Sequence, residues 1–316
     1  MIIGHERQIK YLDRILARGC LAHAYLFYGP EQVGKETVAK TLVKAIFCAH
    51  AKKSLERVCD SCEQCNLVEK ETHPNVTNIS RAATLTSKKE KRSNIPIGDI
   101  RELKRIFSLK GAETQMRVVL MNEADQMSDE AANAFLKLLE EPSRDTLFIL
   151  CAASKDLLLP TILSRTQAIG FAPVSSHILR QFLASKKIGQ ELAETMLDIA
   201  SGRPGILMRL LSDEKYLDEE KEFLKKISEI IEKKDLPEAF RLTEKSAADE
   251  YLMIKTIESI VHLLRAKMLF NSFEQNTQAI AQKLKKVAAI SASLETTNVN
   301  PRLALDALFL EAMRSG

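Results

Sequence analysis

The sequence predicts an α/β domain built on a parallel sheet, followed by a small helical module and an all-helical C-terminal domain. From residue 1 to about residue 170, short apolar runs alternate with helical patterns, which is typical of parallel strands connected by helices. From about Ser175 the strand patterns stop, and apolar residues recur at spacings of three and four. A chain of 316 residues is long enough for two or three compact units.

The predicted strands are short, apolar and bounded by turns or charged residues, as buried parallel strands are. They are residues 24–28, 118–121 and 147–151. Helical patterns between them include Thr37 to Cys48 and Asp129 to Glu140. Ser128 is placed to cap the second of these helices, and Pro142 marks its end.

The predicted domain boundaries follow these changes in pattern. Residues 1–172 form the α/β domain, with a cysteine-rich insert near residues 48–65. Residues 173–212 form the helical module, which has a turn at residues 202–205, and residues 213–316 form the last domain. Apolar stripes in the last domain are predicted to pack in its core rather than to contact a cofactor. They comprise Phe223, Ile227, Ile230 and Ile231, then Met253, Ile257, Ile260, Val261, Leu264 and Met268.

Composition argues against several classes of protein. The net charge of +4 is too small to indicate a nucleic-acid partner, and the chain has no Trp for base stacking. The basic segment 87–93 is interpreted as a solvated loop. No apolar run is long enough to predict a membrane span, and the N-terminus lacks a secretory pattern, so a cytoplasmic protein is expected.

A phosphate-binding loop is predicted at residues 29–35, because this glycine-containing segment follows one predicted strand and precedes a predicted helix. Gly29 and Gly34 permit the tight turn that lets backbone N–H groups face phosphates. Lys35 is placed to reach the terminal phosphates. The motif therefore indicates descent from a nucleotide-binding domain.

Residues expected to handle magnesium depart from that pattern. Glu36 occupies the position after the lysine, where Ser or Thr binds Mg²⁺, and Thr37 comes one residue late, turned about 100° away on a helix. After the strand at 118–121, Asn122 stands where an acidic residue supports Mg²⁺, although Glu123 keeps the position of a water-activating carboxylate. We therefore expect little ATP hydrolysis by this chain alone, with weak nucleotide binding left open.

Four cysteines have the spacing of a structural zinc site. Cys59, Cys62 and Cys65 are separated by two residues each, and Cys48 precedes them by ten intervening residues. Four thiolates complete a closed tetrahedral site with no open position for catalysis. An iron–sulfur cluster is the alternative, although no further cysteine follows at the usual Cys-Pro spacing, and His73 is an alternative ligand. The isolated Cys20 and Cys151 are predicted to be packing residues.

Several longer stretches resemble bacterial clamp-loader subunits of the AAA+ family. Residues 23–30 are similar to that family's approach to the phosphate loop, and residues 133–142 resemble the stretch after Walker B in its gamma and delta-prime types. Residues 163–166 are similar to its Ser-Arg-Cys motif, with threonine replacing the cysteine. Residues 300–305 resemble the last collar helix. The resemblance implies an AAA+ P-loop domain with a zinc insert, a helical lid and an all-α collar that mediates oligomerisation.

The pattern of losses resembles the delta-prime type more than the ATP-binding gamma type. A gamma-type chain would have an intact phosphate loop, an acidic Walker B residue, a sensor threonine and a lid arginine. The corresponding residues here are Glu36, Asn122, Ala152 or Ala153, and Gly205. The resemblance thus implies a DNA polymerase III subunit that helps load the sliding clamp onto primed DNA, with gamma/tau and delta subunits as partners in a hetero-pentamer.

The resemblance also implies a role for Arg165, supported by Ser164, as an arginine finger that completes the ATP site of a neighbouring gamma subunit. Two other functions stay open from the sequence. A working gamma-like ATPase would require Glu36 or Thr37 to supply the missing magnesium contact. A zinc-bearing nucleic-acid-binding protein outside any loader would show salt-sensitive DNA affinity as an isolated chain.

Overall fold

The computed structural model describes most of the chain. The described residues are 2–51, 53–82, 94–109, 116–142, 145–270, 282–287, 289–290 and 299–314. The basic segment predicted as a loop at residues 87–93 lies outside the described residues, as does the side chain of Met268.

The N-terminal part is built on a five-stranded parallel sheet, with strand order β2-β3-β4-β1-β5. The strands are β1 (Ala24–Tyr28), β2 (Val76–Ile79), β3 (Arg117–Met121), β4 (Thr146–Ala152) and β5 (Gln167–Gly170). The predicted parallel sheet is confirmed, and its three central strands coincide with the three predicted ones. The two edge strands, β2 and β5, were not predicted.

Helices connect these strands in the manner expected for parallel pairs. They are α1 (Glu6–Ala17), α2 (Lys35–Phe47), α3 (Glu63–Glu69), α4 (Ile97–Leu109), α5 (Asp129–Glu140) and α6 (Pro160–Leu163). The N-cap prediction for α5 is confirmed, because the Ser128 side chain accepts a hydrogen bond from the Ala131 N–H at 3.2 Å. Helix α2 begins at Lys35, two residues before its predicted start.

Two apolar cores cover the two faces of the sheet. Successive side chains of a strand point to opposite faces, so Tyr25 and Phe27 pack beneath α1 and α2, whereas Leu26 packs beneath α4 and α5. The central strands are buried on both faces for this reason. Their sequences therefore consist of continuous apolar runs instead of alternating ones.

The remainder of the described chain is helical. Its helices are α7 (Ser176–Ser185), α8 (Gln190–Ala200), α9 (Pro204–Ser212), α10 (Glu214–Lys233), α11 (Leu236–Ala247), α12 (Glu250–Phe270) and α13 (Pro301–Met313). A core of α10 to α13 residues includes Ile227, Ile230, Ile257 and Ile260, which confirms that the predicted stripes are packing surfaces. None of the described helices combines the length and apolar character that a membrane span requires.

Backbone contacts divide the chain into two compact units. One comprises residues 1–188 and 202–206, and the other comprises residues 189–201 and 207–316. The predicted division into three domains at residues 172 and 212 stays a prediction.

Candidate nucleotide, metal and arginine sites

The carboxyl ends of three neighbouring strands bring the predicted nucleotide residues together. The phosphate loop follows β1, Asn122 follows β3, and Ala153 follows β4, which lies between them in the sheet. The register pairs Tyr28 with Ala152 and Met121 with Leu150, so these segments all leave the sheet at the carboxyl ends of its strands. Ligands of open α/β sheets bind at these carboxyl ends.

Gly29 opens the loop at a point where only glycine fits. Its φ angle is +147°, and a Cβ atom there would lie 2.0 Å from the carbonyl oxygen of Phe171. Gly34 also has a positive φ, of +111°, and it precedes α2 directly. Both glycines therefore serve the backbone conformation that the phosphate-loop motif predicted.

Lys35 points back into its own loop. Its ammonium donates hydrogen bonds to the carbonyl oxygen of Gly29 and, at 2.7 Å, to that of Pro30. The residue is only 9% exposed, and burial lowers the pKa of its amine. The ammonium that the motif predicts to bind phosphate thus donates to carbonyl oxygens of its own loop. A phosphate would have to compete with these two carbonyl groups for the Lys35 ammonium.

Two further contacts close the loop. The His5 ring Nε2 donates to the Val33 carbonyl oxygen at 2.8 Å, which requires the proton on Nε2. The Gly205 N–H donates to the Gln32 carbonyl oxygen, also at 2.8 Å. A Cβ atom at residue 205 would lie 2.9 Å from Gln32 Cβ, so an arginine at this position could be accommodated only if the loop shifted.

Two residues at the start of α2, Glu36 and Thr37, lie at or beside the position where the motif predicts a magnesium ligand. The Glu36 carboxylate forms an ion pair with Lys40 at 2.8 Å, one turn along α2. Thr37 is exposed, and its carbonyl oxygen accepts a hydrogen bond from the Thr41 hydroxyl. A magnesium ion bound by Glu36 would therefore have to compete with Lys40 for the carboxylate.

Beyond β3, Glu123 is held by an arginine. Arg81 Nε and Nη2 lie 3.0 and 2.6 Å from Glu123 Oε1, and the Arg81 backbone N–H donates to Oε2 at 3.2 Å. Beside it, the buried Oδ1 of Asn122 has no hydrogen-bond partner within the described part of the chain. A neutral amide oxygen and a carboxylate already paired with arginine make a weak donor set for magnesium.

The four predicted cysteine ligands meet in one cluster. All four sulfur atoms lie within 4.8 Å of one another. Sulfur separations of 3.6 Å for Cys48–Cys59, 3.9 Å for Cys48–Cys62 and 4.0 Å for Cys59–Cys65 exceed a disulfide bond. A tetrahedron with metal–sulfur bonds of about 2.3 Å has edges of about 3.8 Å. The cluster therefore has the size needed to hold a metal ion such as zinc.

Backbone N–H groups support the sulfur atoms. The Cys62 N–H donates to Cys59 Sγ at 3.3 Å, and the His50 N–H donates to Cys48 Sγ at 3.4 Å. Hydrogen bonds from the backbone N–H groups of Ser61 and Cys62 lower the pKa of the Cys59 thiol to about 5. A lowered pKa favours the thiolate, which is the form that binds metal, whereas burial raises the pKa of the Cys65 thiol in the same cluster.

The other candidates for this cluster are separate from it. His73 is buried against the Phe47 ring, at a centroid distance of 4.3 Å, and its Nε2 lies 2.8 Å from Gln64 Oε1. It is not among the grouped ligand atoms. Cys151 is buried as predicted, but the packing prediction for Cys20 is wrong, because Cys20 is exposed beyond the end of α1.

Two lysines of α2 attach the cysteine cluster to the phosphate-loop helix. Lys44 Nζ lies 2.6 Å from Asp60, between the cysteine ligands, and 2.8 Å from Glu69 at the end of α3. Lys40 bridges Glu36 and Glu71 at 2.8 and 2.9 Å. Burial opposes the charge on Lys40, but these hydrogen bonds outweigh it and raise its pKa. Glu36 is thereby part of an ion-pair network.

Arg165 lies two residues after the end of α6, and three groups contact its guanidinium. Nη1 donates to the Thr161 carbonyl oxygen at 3.0 Å and to Ser164 Oγ at 3.1 Å, while Nη2 lies 2.8 Å from the Glu140 carboxylate. The side chain is still 35% exposed. Thr166, which replaces the cysteine of the related motif, donates its hydroxyl proton to the Ile162 carbonyl oxygen and so closes the turn.

Sequence reasoning missed four residues that define these sites: His5, Arg81, Lys44 and Glu140. Arg81 follows the unpredicted strand β2, so no pattern placed it beside Glu123. Glu140 belongs to the quoted stretch 133–142, but nothing in that stretch points to Arg165. Lys40 and Lys44 are one turn apart on α2, and this spacing was the one available signal that they share a face.

The family described as "DNA polymerase III, delta subunit" matches residues 4–175, more than half of the chain. The chain belongs to this DNA polymerase III family. Its relatives include the DNA polymerase III subunit delta' of Bacillus subtilis, 31% identical over 62% of this chain and 56% of that protein. The B. subtilis subunit tau is 30% identical over 56% of this chain and 30% of that protein. The chain thus spans about half the length, or less, of these relatives.

A solved structure of a DNA polymerase III gamma subunit-related protein from Thermotoga maritima aligns over 97% of this chain and 98% of that one, with a TM-score of 0.48 and 20% identity. The expected α/β fold of this family member is confirmed by its parallel sheet, by the glycine-containing loop that follows β1, and by its helical C-terminal part.

Proposed function

We propose that this chain is the delta-prime-type subunit of a DNA polymerase III clamp loader, in which it helps to load the sliding clamp onto primed DNA. Membership of the DNA polymerase III delta-subunit family and similarity to delta' and tau subunits support this assignment. Its partners are gamma/tau and delta subunits in a hetero-pentamer, and its location is the cytoplasm.

One observation carries the proposal: the side chains and backbone of the nucleotide site contact one another, whereas Arg165 lies outside that site and is partly exposed. Lys35 binds loop carbonyl groups, Glu123 is paired with Arg81, and Gly205 contacts the loop. We therefore expect this chain to bind Mg²⁺–ATP weakly, because the ligand would have to replace these contacts. An arginine held outside that site can instead neutralise charge on the γ-phosphate of a neighbouring subunit. Arg165, with Ser164 as its support, has this role in the proposal.

Reconstitution of the complex tests this function. The chain would be measured alone, and then with the gamma/tau and delta subunits, the sliding clamp and primed DNA. We expect no ATP turnover from the chain alone above that of a Lys35→Ala variant, and DNA-stimulated turnover only when the complex contains it. Magnesium-dependent turnover by the isolated chain that Lys35→Ala abolishes would identify a gamma-like ATPase instead. Salt-sensitive DNA binding by the chain alone would favour a nucleic-acid-binding protein.

We further propose that the cysteine cluster binds one structural zinc ion through Cys48, Cys59, Cys62 and Cys65. Sulfur separations of 3.6 to 4.0 Å and N–H groups directed at the sulfur atoms support this assignment. Four sulfur ligands complete the coordination of zinc, so the ion contributes to folding and leaves no position for substrate.

Lys44→Met is expected to loosen this zinc site, because it removes the cation that joins Asp60 and Glu69 to α2. The lysine side chain is only 11% exposed. An interaction of about 1 kcal/mol corresponds to roughly a fivefold faster transfer of zinc to a chelator. Release would be followed with a colorimetric chelator, using the exposed Lys70→Met as the matched control. Equal release rates for the two variants would contradict the role of Lys44.

A further inference from the structure

The carboxylate of Glu140 is the charged partner of Arg165. Glu140 is the last residue of α5, and Arg165 follows the short helix α6, so the contact joins two separate elements. The carboxylate lies 2.8 Å from Nη2, and its side chain is 49% exposed. The other two acceptors of this guanidinium, the Thr161 carbonyl oxygen and Ser164 Oγ, are neutral and belong to the arginine's own turn.

Among the described residues, the contacts of Arg165 leave one side of its guanidinium open. A guanidinium carries five N–H donors in a planar fork. Both protons of Nη1 have acceptors, and Nη2 faces Glu140. Within the described residues Nε makes no hydrogen bond, so Nε and part of Nη2 stay available for another acceptor. Paired oxygen atoms of a phosphate match such a fork.

In this arrangement, some N–H groups of Arg165 contact the protein while others can bind a phosphate. Three acceptors fix the arginine side chain in one orientation before any phosphate arrives, which removes much of the entropy that a free arginine would lose on binding. The charge of Glu140 also compensates the exposed guanidinium while no phosphate is present. Of the two adjacent glutamates at the end of α5, Glu140 is the one that forms the ion pair.

We propose that Glu140 is the positioning residue for Arg165, holding its guanidinium so that the free edge meets the nucleotide of a neighbouring subunit. This inference rests on the proposed function, in which Arg165 acts in trans. Glu140 itself touches no substrate in this arrangement. Its effect on turnover must therefore pass through Arg165.

A double-mutant cycle in the reconstituted complex tests the proposal, using Glu140→Gln, Arg165→Ala and both together, with Glu141→Gln as the matched control. We expect Glu140→Gln to lower kcat about tenfold and to leave the KM for ATP within about twofold, since the neighbour binds the ATP. Glu141→Gln should leave both unchanged. In the Arg165→Ala background, Glu140→Gln should have no further effect, because a residue that acts through Arg165 has nothing left to position.

The possible results distinguish the role of Arg165 in trans from the positioning role of Glu140. An unchanged kcat in Arg165→Ala would overturn the proposed function and this inference with it. A large loss in Arg165→Ala together with an unaltered kcat in Glu140→Gln would overturn only the positioning role. The same tenfold loss from Glu140→Gln in both backgrounds would assign Glu140 to the structure of α5 and would also overturn it. Assembly of each variant, checked by gel filtration, separates these outcomes from a failure to fold.

Discussion

Arg165→Ala is expected to lower the kcat of the assembled clamp loader by at least about 100-fold, because arginine fingers supplied in trans contribute about 10³ to 10⁵ in comparable phosphoryl transfers. The KM for ATP should change little, since the arginine stabilises charge that develops in the transition state. Arg165→Lys keeps the positive charge but loses the fork, so it should recover only a small part of the rate. Steady-state ATPase assays with primed DNA and the sliding clamp measure both constants.

Arg105→Ala is the matched control for this experiment. Arg105 is an exposed arginine paired with a glutamate, Glu102, at 2.6 Å on helix α4, outside the sites described above. It should leave kcat unchanged. If Arg165→Ala and Arg105→Ala behave alike, Arg165 is an ordinary surface arginine and its role in trans is wrong. The isolated Arg165→Ala chain should unfold at the same denaturant concentration as the unaltered chain, because the side chain is partly exposed.

Replacement of Cys62 and Cys65 by serine is expected to abolish zinc binding and to destabilise the first unit strongly. Two of the four sulfur ligands disappear, and Cys65 is only 1% exposed, within the core that α2 shares with β1. Structural zinc contributes about 10–16 kcal/mol of binding free energy in small zinc-finger peptides. We therefore expect a loss of at least about 3 kcal/mol in the free energy of unfolding, even after partial compensation by the surrounding core.

Metal analysis and urea denaturation measure the two effects. The unaltered protein should contain about one zinc per chain, and the double variant none. Cys20→Ser, which changes an exposed cysteine outside the cluster, should keep both the zinc and the stability. Iron in the purified protein, or a double variant as stable as the Cys20→Ser control, would contradict the structural zinc site.

The cysteine cluster and the central sheet were predictable because their signals are local. Cys59, Cys62 and Cys65 are so close in sequence that their spacing alone brings the sulfur atoms together, and a short loop adds Cys48. The central strands β1, β3 and β4 are buried on both faces, which makes each a continuous apolar run. The edge strand β5 buries only Ile169, so its sequence carried no such signal.

The sequence by itself determined the α/β class, the four cysteines that cluster, the departures from the magnesium-binding pattern at positions 36 and 122, and the choice of Arg165 as the residue to test. Only the tertiary structure decided which residues contact Glu123, the phosphate loop and Arg165. Arg81 meets Glu123 across 42 positions of sequence, Gly205 meets Gln32, and Glu140 meets Arg165. The physical reason is that helical and strand periodicities report which side chains share one element's face. Ion pairs and main-chain hydrogen bonds between elements depend instead on strand order and helix placement, for which no local pattern exists.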